Sequence, residues 1–103
     1  MAYADALVAL ADPTRRAIFE TLRENPITVG DLAARLPVSR PAVSQHLRVL
    51  EGAGLVQANP QGNRRFYSIR REGLEELRQY LDGFWSDALG AYAAEVKRRK
   101  RRS

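Results

Sequence analysis

The chain contains no cysteine, and it has one histidine, one methionine and one tryptophan. Without thiols there can be no disulfide bond and no thiolate metal site, which fits a reducing compartment. No N-terminal apolar run looks like a signal peptide, and no stretch of about eighteen apolar residues could span a membrane. A soluble, cytoplasmic protein is the expectation. No serine–histidine–acid set, phosphate loop or pair of buried carboxylates is visible, so an enzyme is not expected. Carboxylates are also missing from one long internal stretch, between Asp31 and Glu51.

What is present is basic and unevenly spread. The 103 residues carry a net charge of +5, and a chain of this length makes one small domain with a limited core. Residues 36–71 hold six arginines against Glu51, residues 72–96 hold Arg78 against six acids, and residues 97–103 read KRRKRRS. A positive middle, a negative segment and a positive end are not a random scatter. Clustered arginine is the electrostatic footprint of a nucleic-acid partner.

Residues 2–10 predict a short helix with Tyr3, Leu7 and Leu10 apolar. Asp12-Pro13 restarts the chain, Asp12 as N-cap and Pro13 at the first helical position. That helix runs to about Arg23 and buries Ile18, Phe19 and Leu22. Asn25-Pro26 is a turn. Thr28 is the next N-cap, with Asp31 three residues on in a capping-box-like arrangement. The helix it starts buries Val29, Leu32, Ala33 and Leu36, and Pro37 stops it.

After that short turn comes SRPAVSQHLRVL, residues 39–50. Ser39 is an N-cap and Pro41 falls in the first turn, where its missing N–H costs little. Val43, Leu47 and Leu50 form one narrow apolar stripe. Gly52 and Gly54 can supply a left-handed stop. Two short helices joined by such a turn make a helix-turn-helix, whose second helix enters the DNA major groove. Off the stripe, Arg40, Ser44 and Gln45 are candidates for base edges, since arginine suits guanine and glutamine suits adenine. Ser39 and Pro41 suit the backbone or a thymine methyl, and Arg48, a turn deeper, suits phosphate. His46 has no cysteine, second histidine or sequence-adjacent acid beside it, so packing or a phosphate contact is expected rather than a metal.

Residues 55–59 and 65–69 predict two strands joined by a turn-rich loop over 60–64, a hairpin with a basic tip. Gly62 and Asn63 let the backbone approach a phosphate or the minor groove. Arg64 and Arg65 alternate in direction, so at most one is expected to face DNA. Arg15 and Arg16 either reach phosphate as well or pair with Asp12 and Glu20. From Glu72 to about Arg98 runs one long amphipathic helix, with Gly83 and Gly90 interrupting it. Its apolar face is longer than so small a core can cover. A homodimer through Tyr3, Leu7, Leu77, Leu81, Phe84, Trp85, Ala88 and Tyr92 is therefore predicted. The domain is expected to cover residues 1–97, and residues 98–103 to form a disordered basic tail that aids solubility, sweeps along phosphates, or both.

Three segments together resemble the ArsR/SmtB winged helix-turn-helix repressors: ALADPTRRAIFETL (9–22), VGDLAARLPVSRPAVSQHLRVLEGAGLV (29–56) and GNRRFYSI (62–69). The terminal helices fit more loosely, and the basic tail lies outside the pattern. The resemblance implies a mostly helical fold with a small β-hairpin, dimerised by its terminal helices, and a repressor binding double-stranded operator DNA. Many members sense metals through cysteines on the first helix of the motif or through histidine and carboxylate ligands on the last helix. Here the first location reads Thr28-Val29-Gly30-Asp31 and the last helix has no histidine, so no cofactor is expected and the metal-independent branch fits best. The alternatives are a DNA-binding sensor that answers a ligand or partner protein, and an adaptor that kept the fold but lost DNA.

Overall fold

The computed structural model describes residues 2–102, with side chains from residue 4 to residue 101. Five helices and three strands follow in the order α1 (Ala2–Ala11), α2 (Pro13–Thr21), β1 (Ile27–Thr28), α3 (Val29–Arg35), α4 (Arg40–Gly52), β2 (Val56–Gln61), β3 (Arg64–Ile69) and α5 (Arg71–Arg102). The fold class is as expected, mostly helical and winged, with one correction. The sheet has three strands rather than a bare hairpin, because β1 adds antiparallel to β3 in the order β1-β3-β2.

Local capping sets the helix starts. The Asp12 carboxylate accepts from the backbone N–H of Thr14 at 2.8 Å and of Arg15 at 3.0 Å. Those bonds, above all the one from Arg15, hold its pKa below the usual aspartate value, against some desolvation; the charges of Arg15 and His46 help. The Thr28 hydroxyl accepts from the Asp31 N–H at 3.2 Å, which is half of a capping box. The other half is absent from the expected place, because the Asp31 carboxylate is turned toward Arg64, 3.9 Å away. The Ser39 hydroxyl accepts from the Ala42 N–H at 3.3 Å.

At the end of α4 the N–H of Leu55 reaches back to the carbonyl of Leu50 at 3.0 Å, and Gly54 takes a φ of +78°. This is a Schellman-type stop, and it needs the left-handed conformation that glycine adopts without a Cβ penalty.

The core sits where α2, α3 and α4 meet the sheet. Ile18, Leu32, Val43, Leu47, Leu50 and Leu55 are all fully buried. The hairpin differs from expectation in length. Pro60 and Gln61 belong to β2, and the loop is only Gly62-Asn63. A proline is tolerated there because β2 is an edge strand. Gly62 at φ +62° matches the first position of a II′ hairpin turn.

The last helix departs most from the reading. It continues through the basic segment to Arg102 instead of giving way to disorder near Arg98. Glu95 pairs with both Arg98 and Arg99 across one helical turn, and lysine and arginine are good helix formers. Its first turn lies hard against the α4 stop: a Cβ on Gly73 would stand 1.8 Å from the Gly54 carbonyl oxygen.

Candidate nucleic-acid interface

Helix α4 divides its side chains cleanly. Val43, Leu47 and Leu50 face the core with no exposed surface, while Arg40, Pro41, Ser44, Gln45 and Arg48 are exposed. The division follows from the four-and-three spacing of the apolar residues. Ser39 is exposed too, but its hydroxyl is already engaged in the cap. His46 departs from the exposed set. It is half-buried. Packing is the role this position supports.

The wing returns to the start of α4. Thr28, Gly30, Asp31, Arg40, Arg64 and Arg65 line one open cleft of about 510 Å³. The Arg40 guanidinium lies over Gly30, so close that a Cβ there would meet it at 3.0 Å. Arg64 stacks over the Phe66 ring at 5.2 Å and pairs with Asp31 at 3.9 Å. Strand alternation puts Arg64 on the Phe66 face and Arg65 on the other, as expected, yet both residues border the cleft at the hairpin tip. Gly62 and Asn63 are fully exposed beyond them. Three arginines thus line a cleft that holds one carboxylate.

Gly30 and Asp31 were not expected in this surface. Asp31 reads from sequence as a cap residue, and nothing local tells that β1 will bring it beside the wing. A β-branched pair, Ile27-Thr28, directly after Pro26 is the one signal that pointed to the strand. Of the two arginines left open, Arg15 is intramolecular. Its side chain donates to the Ala9 carbonyl at 2.7 Å and lies 3.9 Å from Asp12, joining α1 to α2. Arg16 is exposed.

A second surface lies on α1 and α5. Leu7, Leu81, Phe84, Trp85, Ala88 and Tyr92 are exposed, Trp85 at 66% and Tyr92 at 70%. Leu77 is the correction here. It is buried within the single chain, where α5 passes α1, and is not available to a partner. The Tyr3 side chain lies outside the described residues. Among the described residues, no three histidine, cysteine or acidic side chains cluster as metal ligands, and no helix is long and apolar enough to cross a membrane.

Comparison with known proteins supports the same fold and family. A helix-turn-helix domain family matches residues 10–57. The HTH-type transcriptional regulator Rv2034 of Mycobacterium tuberculosis is 59% identical, over 82% of this chain and 79% of its own. The transcriptional repressor SdpR of Bacillus subtilis is 32% identical, over 74% of this chain and 84% of its own. Among solved structures, the homodimeric winged helix-turn-helix DNA-binding domain of Mb0332 from Mycobacterium bovis, a possible ArsR-family transcriptional regulator, aligns with a TM-score of 0.68. It is 26% identical, over 85% of this chain and 82% of its own.

Proposed function

This chain belongs to the ArsR/SmtB family of winged helix-turn-helix transcriptional regulators, and from that premise we propose that it is a homodimeric repressor reading a pseudo-palindromic operator without a resident metal. It is a DNA-binding regulator of transcription; the contacts, the symmetry and the sense of regulation are our reading. One observation carries it. Arg40 at the start of α4 and Arg64 and Arg65 at the wing share a cleft in which Asp31 is the one carboxylate.

In this reading α4 lies in the major groove. Arg40, Ser44 and Gln45 meet base edges, and Ser39, Pro41 and Arg48 meet backbone or a thymine methyl. The tip, Gly62-Asn63, follows a phosphate or the minor groove. Arg64 exchanges Asp31 for a phosphate, at little cost, because both side chains of that pair are 59% exposed and so long an ion pair contributes little. Phosphate contacts supply affinity and base contacts supply choice.

Two copies joined through α1 and α5 set their recognition helices about one helical turn, roughly 34–36 Å, apart. Occupying a promoter in this way blocks polymerase. The repressor name of SdpR and the homodimer of Mb0332 support both halves of this reading. No catalytic role is assigned to any residue, and the working compartment is the cytoplasm.

The test is a gel shift with the protein's own upstream DNA. Wild type should bind a specific fragment as a dimer, and Arg40→Ala with Gln45→Ala should bind specific and random DNA equally. Full operator preference in that double variant would remove the assigned reading surface.

A further inference from the structure

The cationic end of α5 has no place in the DNA reading above, and the helix itself indicates where it goes. From Leu81 to Arg101 no residue of α5 is buried in the single chain. Six exposed apolar positions in its middle are symmetric about the point midway between Ser86 and Asp87. Leu81 mirrors Tyr92, Phe84 mirrors Leu89, and Trp85 mirrors Ala88. An antiparallel pair of α5 helices centred there sets these six apolar residues level with one another, while Leu74 comes level with Arg99 and Ala91 with Asp82.

The charges obey the same mirror. Glu72 comes level with Arg101, Glu75 with Arg98, and Glu76 with Lys97 of the second copy. Arg78 comes level with Glu95. Only the outermost level, Arg71 with Arg102, joins like charges. A parallel pair would instead stack the whole cationic end on itself and the acidic turns on themselves, which is repulsive.

We propose that the basic end of α5, Lys97 to Arg101, is a clamp that seats on the acidic first turns of α5 in a second copy of this chain. It thereby fixes the pair as antiparallel and in one register. The proposal rests on the homodimer reading and adds to it an orientation, a register and a role for the tail. Glu75 and Arg98 are exposed, and Arg78 and Glu95, with which they pair, are solvent-accessible residues of their own helix.

The absence of cysteine makes the geometry directly testable. Positions 81 and 92 are eleven residues apart on one helix, about 16 Å, too far for a disulfide within a chain. Under mild oxidation, a mixture of the Leu81→Cys and Tyr92→Cys chains should yield the mixed disulfide dimer, and neither chain alone should link to itself. Self-linking of each single variant would mean a parallel pair and overturn the proposal.

A charge swap tests the clamp itself. Glu72→Lys/Glu75→Lys/Glu76→Lys and Lys97→Glu/Arg98→Glu/Arg99→Glu should each weaken self-association about tenfold at low salt. An equimolar mixture of the two should form a heterodimer at least as tight as wild type. Sedimentation reads both. An unchanged dimer constant in the second variant, with weakened DNA binding, would assign the tail to phosphate and overturn the clamp. A wild-type chain that is monomeric throughout would instead refute the homodimer reading on which the clamp rests.

Discussion

Replacing Gly73 by alanine should cost this fold more than any other single methyl group. The added Cβ would stand 1.8 Å from the Gly54 carbonyl oxygen and 2.7 Å from its carbon. An ordinary carbon–oxygen contact is about 3.3 Å, so α5 or the α4 stop must retreat by about 1.5 Å. Neither can do so freely. Gly54 is held at φ +78°, and the N–H of Arg70 donates to the Leu55 carbonyl at 2.8 Å. Overpacking against backbone costs roughly 3 kcal/mol. At about 4–8 °C per kcal/mol for a domain of this size, Tm should fall by roughly 12–24 °C.

Circular dichroism melts at one fixed protein concentration measure this, since association shifts Tm as well. Gly83→Ala and Gly90→Ala are the internal controls. Nothing lies within 4 Å of a Cβ at either position, so the same substitution in the same helix should raise stability by up to about 1 kcal/mol. A Gly73→Ala protein that melts with the wild type would mean that the first turn of α5 does not pack against the α4 stop as described.

Three further outcomes follow. Arg48→Ala should weaken binding to specific and random DNA alike and lower the salt slope of log K by about one, as measured by fluorescence anisotropy across a salt series. Trp85→Glu should turn the dimer into a folded monomer by sedimentation, because Trp85 is exposed within the chain and its loss leaves the core intact. Asp12 has a folded-state pKa below its unfolded value, so its contribution is present above the unfolded pKa and is lost as pH falls through the lower folded value. Asp12→Asn keeps an N-cap side chain but removes that titration, and should flatten the acid limb of Tm against pH.

The features legible in the sequence are those that local chemistry decides. Asp12, Thr28 and Ser39 cap helices because a side-chain oxygen one turn away satisfies an orphan N–H, whatever the rest of the chain does. Val43, Leu47 and Leu50 fall on one stripe because the helix period puts them there. What was missed depends on partners distant in the chain. β1 exists only because β3 comes back beside Ile27 and Thr28. Asp31 turns from a capping box to Arg64 for the same reason.

Leu77 lies on the same stripe as Leu81, and periodicity cannot tell that α1 covers one and leaves the other exposed. Residues 98–102 read as a disordered charge run, yet Glu95 lies one turn before them and pairs with Arg98 and Arg99. The exposure of Arg40, Ser44 and Gln45 beside the buried stripe of α4 was legible in advance from the helix period. For His46 packing and a phosphate contact were both open in the sequence, and its half-burial, which depends on how two helices pack, favours packing.

Guanine-N7 methylation interference on the bound upstream fragment tests the central claim most directly, because N7 lies on the floor of the major groove where α4 is placed. Interference is expected at guanines in two related half-sites about one helical turn apart, with loss of the effect at one guanine per half-site in the Arg40→Ala protein. Undiminished binding to fully methylated DNA would contradict it.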